Sequence, residues 1–173
     1  MTPPVSPQKD RFVHDRLPLP DQWPQVSPLA GGSDQDTLNC VSLLLDRHVS
    51  DGHGDRPAVR GGDRTWTYAE LNDHVCRAAS VMVQHHDIKP GNRVLIRGGN
   101  SPEVALAWLA VQKIGAVAVT TMSLLRDNEL RVIIDVSQPA LAICDTGLMQ
   151  DLSLAIKSSA QDVPVIGFDA GQG

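Results

Sequence analysis

From residue 93 onward the chain repeats one pattern: a short apolar run, a turn, an amphipathic stretch, and then another apolar run. The apolar runs are Arg93–Arg97 (through Val94, Leu95 and Ile96), Ala116–Thr120, Ala140–Cys144 and Val163–Ile166. A new strand therefore begins roughly every 23 residues, the spacing of successive right-handed β-α units in a parallel sheet. Each run is apolar almost without a break, as strands are when both faces of a sheet are covered. The fold class read from this pattern is α/β, a mostly parallel sheet with flanking helices built from the second half of the chain.

The segments between the strands carry helix signals. Ser101 caps and Pro102 opens a helix whose apolar face is read as Val104, Trp108 and Val111 and whose end is marked by Gly115. Asp127 to Ser137 reads as a helix with Leu130, Ile133 and Ile134 inward, stopped by Pro139. Thr146 to about Ser158 reads as another.

Upstream, Thr67 and Glu70 stand in the capping-box relation, in which the Thr hydroxyl accepts from the Glu70 N–H and the Glu carboxylate accepts from the Thr67 N–H. Trp66 precedes the cap and can pack on Leu71 as a hydrophobic staple. The helix runs to about His86, with Tyr68, Leu71, Val75, Ala78, Ala79 and Met82 on one face. Before it, Ala58–Arg60 and Arg64–Trp66 flank Gly61-Gly62-Asp63, a tight-hairpin composition. Leu38 to His48 is read as a helix burying Leu38, Val41, Leu44 and Leu45.

Most of the 12 prolines lie in residues 1–36, which disfavours regular structure there. Phe12, Leu17, Leu19 and Trp23 are spaced along this leader, so it is read as an extended segment lying across a folded surface.

Composition excludes several partners. With 15 Lys+Arg against 20 Asp+Glu and a net charge of -5, the chain lacks the attraction to phosphate backbones that nucleic-acid binding needs, and with 3% aromatics there is little for bases to stack on. Cys40, Cys76 and Cys144 are odd in number and far apart, which argues against a disulfide framework or zinc site and for a reducing cytoplasm. Val104 to Leu125 is long enough to span a membrane, but Gln112 and Lys113 interrupt it and Gly115 splits it, so a buried helix followed by a buried strand is expected.

Candidate chemistry is sparse. Arg97-Gly98-Gly99-Asn100-Ser101 lies between a strand and a helix N-terminus, where N–H groups can hold an anion. It matches neither the dinucleotide fingerprint nor the Walker pattern, so a glycine turn feeding a capped helix is the preferred reading. His85-His86-Asp87 has no other Cys or His at ligand spacing, and reads as a solvated helix end. The leader carboxylates Asp10, Asp15, Asp21, Asp34 and Asp36 sit in no apolar setting that would tune them for acid-base work, and no nucleophile elbow occurs.

Four blocks taken together say more. Thr65-Trp66-Thr67-Tyr68-Ala69-Glu70-Leu71, then Gly91-Asn92-Arg93-Val94, then Asn100-Ser101-Pro102-Glu103, then Trp108 through Ala116 resemble in order and spacing the opening of the adenylate-forming ligases: acyl-CoA synthetases, peptide-synthetase adenylation domains and luciferases. The segment Leu124-Leu125-Arg126 to Leu130 fits the same pattern. Phe12-Val13-His14-Asp15-Arg16-Leu17-Pro18, Gln22-Trp23-Pro24 and Leu38-Asn39-Cys40 resemble the benzoate and 2-aminobenzoate CoA ligase branch.

The resemblance implies an incomplete N-terminal subdomain of the adenylate-forming fold, with residues 1–36 as leader and 37–173 as partial AMP-dependent synthetase domain. It implies a two-step reaction for the full-length family. A carboxylate attacks the α-phosphate of Mg-ATP to give an acyl-adenylate, and the CoA thiol then displaces AMP. ATP, Mg2+ and CoA are thus the family's ligands. The phosphate loop ending in Pro-Lys, the acidic nucleotide motifs and the C-terminal-domain lysine have no counterpart in a chain that reaches Gly171-Gln172-Gly173 before the phosphate loop. No catalytic, cofactor-binding or metal-binding residue is therefore assigned, no cofactor is expected for this portion alone, and the chain is expected to be inactive alone. Its expected partner is the remaining portion of the ligase or a second copy of itself. Two alternatives stay open: a non-catalytic interaction module complementing a second ligase chain, and a small Rossmann-like nucleotide binder resting on the Gly98-Gly99 turn.

Overall fold

The computed structural model describes residues 8–23, 38–62 and 64–170. The rest of the leader, including Asp34, Asp36 and Pro24, lies outside the described residues, as do Asp63 of the hairpin turn and Gly171-Gln172-Gly173.

The first helical segment begins at Cys40 and contains a π-helical turn, Ser42–Asp46, that continues into α1 (Arg47–Ser50). Of the four leucines and valines expected inward, Val41 and Leu45 are buried, whereas Leu38 is 57% and Leu44 53% exposed. Leu38 precedes the helix and so belongs to no face. The wider π turn rotates Leu44 away from the position a 3.6-residue period would give it.

β1 (Pro57–Gly61) and β2 (Arg64–Thr67) form the antiparallel hairpin, with Gly62 at φ +55° in the turn. A Cβ on Gly61 would lie 2.6 Å from the Pro102 ring, so glycine lets the hairpin close on the third helix. α2 (Tyr68–His86) starts with the full capping box: Glu70 N–H to Thr67 Oγ1 at 3.2 Å and Thr67 N–H to Glu70 Oε2 at 2.9 Å. It buries Leu71, Val75, Ala79 and Met82, the stripe read from periodicity. The helix ends because Asp87 takes the left-handed conformation (φ 51°) and Ile88 N–H reaches back to Met82 O at 3.1 Å.

β3 (Arg93–Arg97), α3 (Pro102–Lys113), β4 (Val117–Thr121), α4 (Asp127–Ser137), β5 (Leu141–Asp145), α5 (Met149–Ser158) and β6 (Val165–Phe168) follow in strict alternation. The four strands pair in parallel in the order β4-β3-β5-β6. Successive side chains on a strand face opposite sides, and the core divides accordingly. Val94, Ile96, Leu141 and Ile143 pack with α2 and α3, while Leu95, Ala142 and Cys144 pack with Leu130, Ile134, Leu152 and Ala155 of α4 and α5.

Two expectations shift. α3 buries Ala107, Leu109, Ala110 and Val111, whereas Val104 and Trp108 are only half-buried, because the helix lies between α2 and the sheet and is covered on more than one side. β6 starts two residues later than expected. Proline has no N–H to give a ladder, so Pro164 contributes only its carbonyl, which accepts from Ala142 N–H at 2.9 Å.

The described part of the leader contains two short 3-10 turns, His14–Arg16 and Pro20–Gln22. Its N-terminal end is tied to the body: Lys9 and Asp10 N–H groups both donate to Pro90 O at 3.0 Å, and the Asp10 carboxylate accepts from Asn92 Nδ2 at 2.9 Å and from Arg93. Gly91, at φ +91°, passes so close beneath Asp10 O that a Cβ would collide with it.

Candidate functional site

In a parallel α/β sheet the crevice that can receive a ligand opens at the carboxyl ends of the strands where the strand order reverses. Here the chain leaves β3 toward β4 on one side and returns to β5 on the other, so the reversal lies between β3 and β5. Three loops meet at that end: residues 98–101 after β3, 122–126 after β4 and 146–148 after β5.

Arg97 closes β3 and is fully buried beneath these loops. Its guanidinium donates to Met122 O (3.0 Å), Ser123 O (3.3 Å), Leu125 O (2.8 Å) and Leu148 O (3.4 Å). Asp151 of α5 supplies the countercharge at 3.8 Å and also pairs with Arg126 at 3.3 Å. The arginine weighed in sequence as part of an anion turn thus fastens the β4 and β5 loops to each other.

The rest of Arg97-Gly98-Gly99-Asn100-Ser101 forms a turn feeding a capped helix. Ser101 Oγ accepts from Val104 N–H at 3.3 Å. A Cβ on Gly98 would run into Val104 and lie 3.0 Å from the Phe168 ring, so glycine here serves close packing. Across the crevice, Asp145 Oδ1 accepts from Gly147 N–H at 2.9 Å. Cys144 is buried one residue earlier, and its burial pushes the thiol up to about 11 against the opposing pull of Arg97.

His85, His86 and Asp87 do not converge: His85 is exposed, His86 half-buried, and Asp87 pairs with Lys89 at 2.8 Å. Asp15 and Asp21 are exposed on the leader. Asp10 differs. Burial alone would raise its carboxyl, but hydrogen bonds from Phe12 N–H, Asn92 and Arg93, with the Arg93 charge, hold it below its ordinary value. Among the described residues no group of three His, Cys, Asp or Glu side chains could hold a metal. The described crevice does not fit Mg-ATP, since its buried cation is engaged by carbonyls and its cap hydroxyl by a backbone N–H.

Two polar residues, named in the sequence only within family-like blocks, take roles the sequence does not assign them. Asn39 donates from Nδ2 to Gln112 O (3.1 Å) and Lys113 O (3.0 Å), and accepts from Val41 N–H (3.0 Å), joining the first helix to the last carbonyls of α3. Glu103 bonds Arg64 through Oε1 at 2.7 Å while its Oε2 is buried without a partner among the described residues.

The family model for AMP-binding enzymes matches residues 45–170. The chain belongs to the AMP-binding enzyme family. Its curated relatives include an acetyl-coenzyme A synthetase of Rhizobium rhizogenes strain K84, 36% identical over 133 residues, covering 72% of this chain and 20% of the relative. A 3-hydroxybenzoate–CoA ligase of Aromatoleum sp. strain CIB is 33% identical over 108 residues, covering 62% of this chain and 20% of the relative. Among solved structures, a benzoate CoA ligase from Burkholderia xenovorans LB400 superposes with a TM-score of 0.67 at 21% identity over 75% of this chain and 26% of that one. An anthranilate CoA ligase in complex with anthranoyl-AMP superposes with a TM-score of 0.71 at 17% identity, over 79% and 26%. These superpositions show the fold, the N-terminal part of the adenylate-forming ligase architecture. The chain spans about a fifth of these curated family members and about a quarter of the solved ones. Among the described residues no helix is long and apolar enough to cross a membrane.

Proposed function

We propose that this chain is the N-terminal α/β platform of an ATP-dependent acid–thiol ligase for aromatic carboxylates and that it activates no acid without the rest of that fold. The observation that carries the reading is Arg97: the one buried guanidinium described at the strand-order reversal organises loops instead of facing an open anion site. Phosphoryl chemistry depends on positioned donors and a metal around the developing charge. In this reading both come from the segments of the ligase that the chain does not contain, supplied by the remaining portion of the enzyme.

The aromatic preference is supported by the leader. Phe12, within the stretch that resembles the benzoate and 2-aminobenzoate branch, lies 4.0 Å from the Arg93 guanidinium carbon and 3.6 Å from that of Arg16. Solved benzoate and anthranilate CoA ligases share the fold. The acetyl-coenzyme A synthetases among the relatives supply the competing substrate, acetate. The same reading puts the chain in the cytoplasm, where its thiols stay reduced.

The test is an acyl-CoA and AMP formation assay with benzoate, 2-aminobenzoate and acetate. The chain alone is expected to release no AMP above a no-enzyme blank. With the remaining ligase portion added, the aromatic acids are expected to turn over ahead of acetate. AMP release by the chain alone, or preference for acetate in the complemented system, overturns the proposal. Calorimetric titration with ATP and AMP is expected to show no heat, which separates this reading from a stand-alone nucleotide binder.

A further inference from the structure

The chain has five asparagines, and the fold holds all but one of them in place. Asn39 is fixed at both ends of its amide by Gln112 O, Lys113 O and Val41 N–H. Asn92 accepts from Lys89 N–H at 2.8 Å and donates to Asp10 at 2.9 Å. Asn72 lies within α2, where its Oδ1 accepts from Lys113 Nζ at 3.5 Å. Asn128 lies in the first turn of α4, ahead of the bulky Glu129. Asn100 is exposed, belongs to no helix or strand, and has no hydrogen-bond partner among the described residues.

The residues on either side of Asn100 sharpen the contrast. Gly98 is packed against Val104 and Phe168, but a Cβ on Gly99 would meet nothing within 4 Å, so the backbone just before Asn100 has room to turn. Ser101 follows, with a small side chain. Its hydroxyl accepts from Val104 N–H and its carbonyl from Ala105 N–H. Its own backbone N–H lies ahead of the helix and donates to no acceptor among the described residues.

We propose that Asn100 is a site of covalent self-modification, where an amide becomes a carboxylate at the rim of the β3–β5 crevice. The Ser101 backbone nitrogen gives up its proton and attacks Cγ of Asn100, forming a C–N bond. The bond to the side-chain nitrogen breaks, and ammonia departs with the proton. Water then opens the five-membered succinimide at either carbonyl and leaves aspartate or isoaspartate. The net reaction consumes one water and releases one ammonia, and it needs no part of the ligase outside this chain.

Ring closure requires an amide free to swing, a following N–H that is not already bonded, and little bulk on that next residue. Asn39, Asn72 and Asn92 fail the first requirement and Asn128 the last. Asp51 is followed by glycine, the least hindered neighbour. Yet Gly52 N–H donates to Val49 O at 3.1 Å, and the Asp51 carboxylate pairs with Arg47 at 3.4 Å. The two products at Asn100 differ in their effect on α3. Aspartate places negative charge just before a helix N-terminus, where it is favoured. Isoaspartate adds a methylene to the backbone, which moves Ser101 away from Val104 N–H and weakens the cap.

The test incubates the full chain in mildly alkaline buffer, folded and in urea, until the urea sample has reacted at Asn100, and then maps tryptic peptides by mass. Residues 98–113 form one such peptide, with Asn100 as its single asparagine. In the folded sample this peptide is expected to gain about one dalton, an amide becoming a carboxyl, before any other asparagine reacts and before isoaspartate appears at Asp51. In urea the other sites are expected to react alongside it. Ser101→Thr keeps a capping hydroxyl but crowds the nitrogen with a β-branch, and is expected to slow the gain severalfold. Asn100→Gln, whose ring would need one more atom, is expected to abolish it. The isoaspartate fraction is expected to exchange the Val104 amide faster than the unmodified chain.

The inference is overturned if Asn100 stays intact in the folded chain while the urea sample reacts. It is equally overturned if another asparagine or Asp51 reacts first in the folded chain, or if Ser101→Thr reacts at the parent rate.

Discussion

The carboxylate of Asp10 accepts a hydrogen bond from Arg93, 83 positions further along the chain, at the head of the central strand. The guanidinium donates at the same time to Ser137 O (2.9 Å) and Gln138 O (2.8 Å), which end α4. One arginine therefore joins the leader, the sheet and a helix C-terminus, and the aromatic face of Phe12 lies against it.

Asp10→Asn keeps the hydrogen-bonding shape and removes the charge. It is expected to lower stability by about 1 kcal/mol, read as a shift in denaturation midpoint with unchanged slope, and to speed proteolysis within residues 8–23. Because the Asp10 carboxyl titrates below its ordinary value of 3.8, its contribution is present in full above about pH 4 and is lost as pH falls through the lower folded value. The wild-type chain should lose leader protection on acidification in that window, and the variant should not.

Thr67→Ala removes one half of the α2 capping box and is expected to cost about 1 kcal/mol. The Thr67 N–H and hydroxyl hold the exposed Glu70 carboxyl below its ordinary value, so the cap should weaken as pH falls below the carboxylate range. Amide exchange in the first turn of α2 is the measurement, and a variant that exchanges there at the wild-type rate refutes the assignment.

Arg97→Met takes a donor from the carbonyls of Met122, Ser123, Leu125 and Leu148, of which Met122 O keeps the Leu125 N–H, and leaves Asp151 without part of its countercharge. A loss of about 3 kcal/mol or more is expected, with faster exchange in residues 122–125. Arg126→Ala touches the same Asp151 from the surface and is expected to cost less than about 1 kcal/mol. Equal effects of the two substitutions would remove Arg97 from its organising role.

Cys144 is expected to resist thiol reagents in the folded chain while the half-buried Cys40 and Cys76 react first. Its thiol, raised from 9.0 to about 11, contributes stability in full below about pH 9 and loses it as pH climbs toward 11. Cys144→Ala should abolish the slowest labelling phase, and persistence of that phase would assign it to another cysteine.

Much of this architecture was readable because its signals are local. The Thr67–Glu70 cap, the Pro102 helix start and the four apolar runs each lie within a few residues of the structure they specify. What escaped depends on distant partners. Nothing near Arg97 announces that its donors meet carbonyls of residues 122–148, so a glycine-flanked arginine was weighed as an anion turn. Asp10 reads in sequence as one more leader carboxylate with no apolar setting because its partners lie beyond residue 90. Asn39 belongs in sequence to a family-like tripeptide, but its bonds to the end of α3 lie 73 and 74 positions away. Periodicity predicts only half of the buried face of the first helix because it assumes 3.6 residues per turn, and the Ser42–Asp46 turn is wider.

The reversal of strand order at β3 also has a kinetic meaning. Val94 pairs with Ala118, 24 positions on, and with Leu141, 47 positions on. Doubling a loop adds only about 0.6 kcal/mol of closure entropy, yet on a chain emerging from the ribosome the nearer partner arrives first. A β3-α3-β4 half-sheet is then expected to form early, with the other edge of β3 open until β5 is synthesised. That interval, more than the finished sheet, is when the nascent chain is most exposed to pairing with a wrong strand.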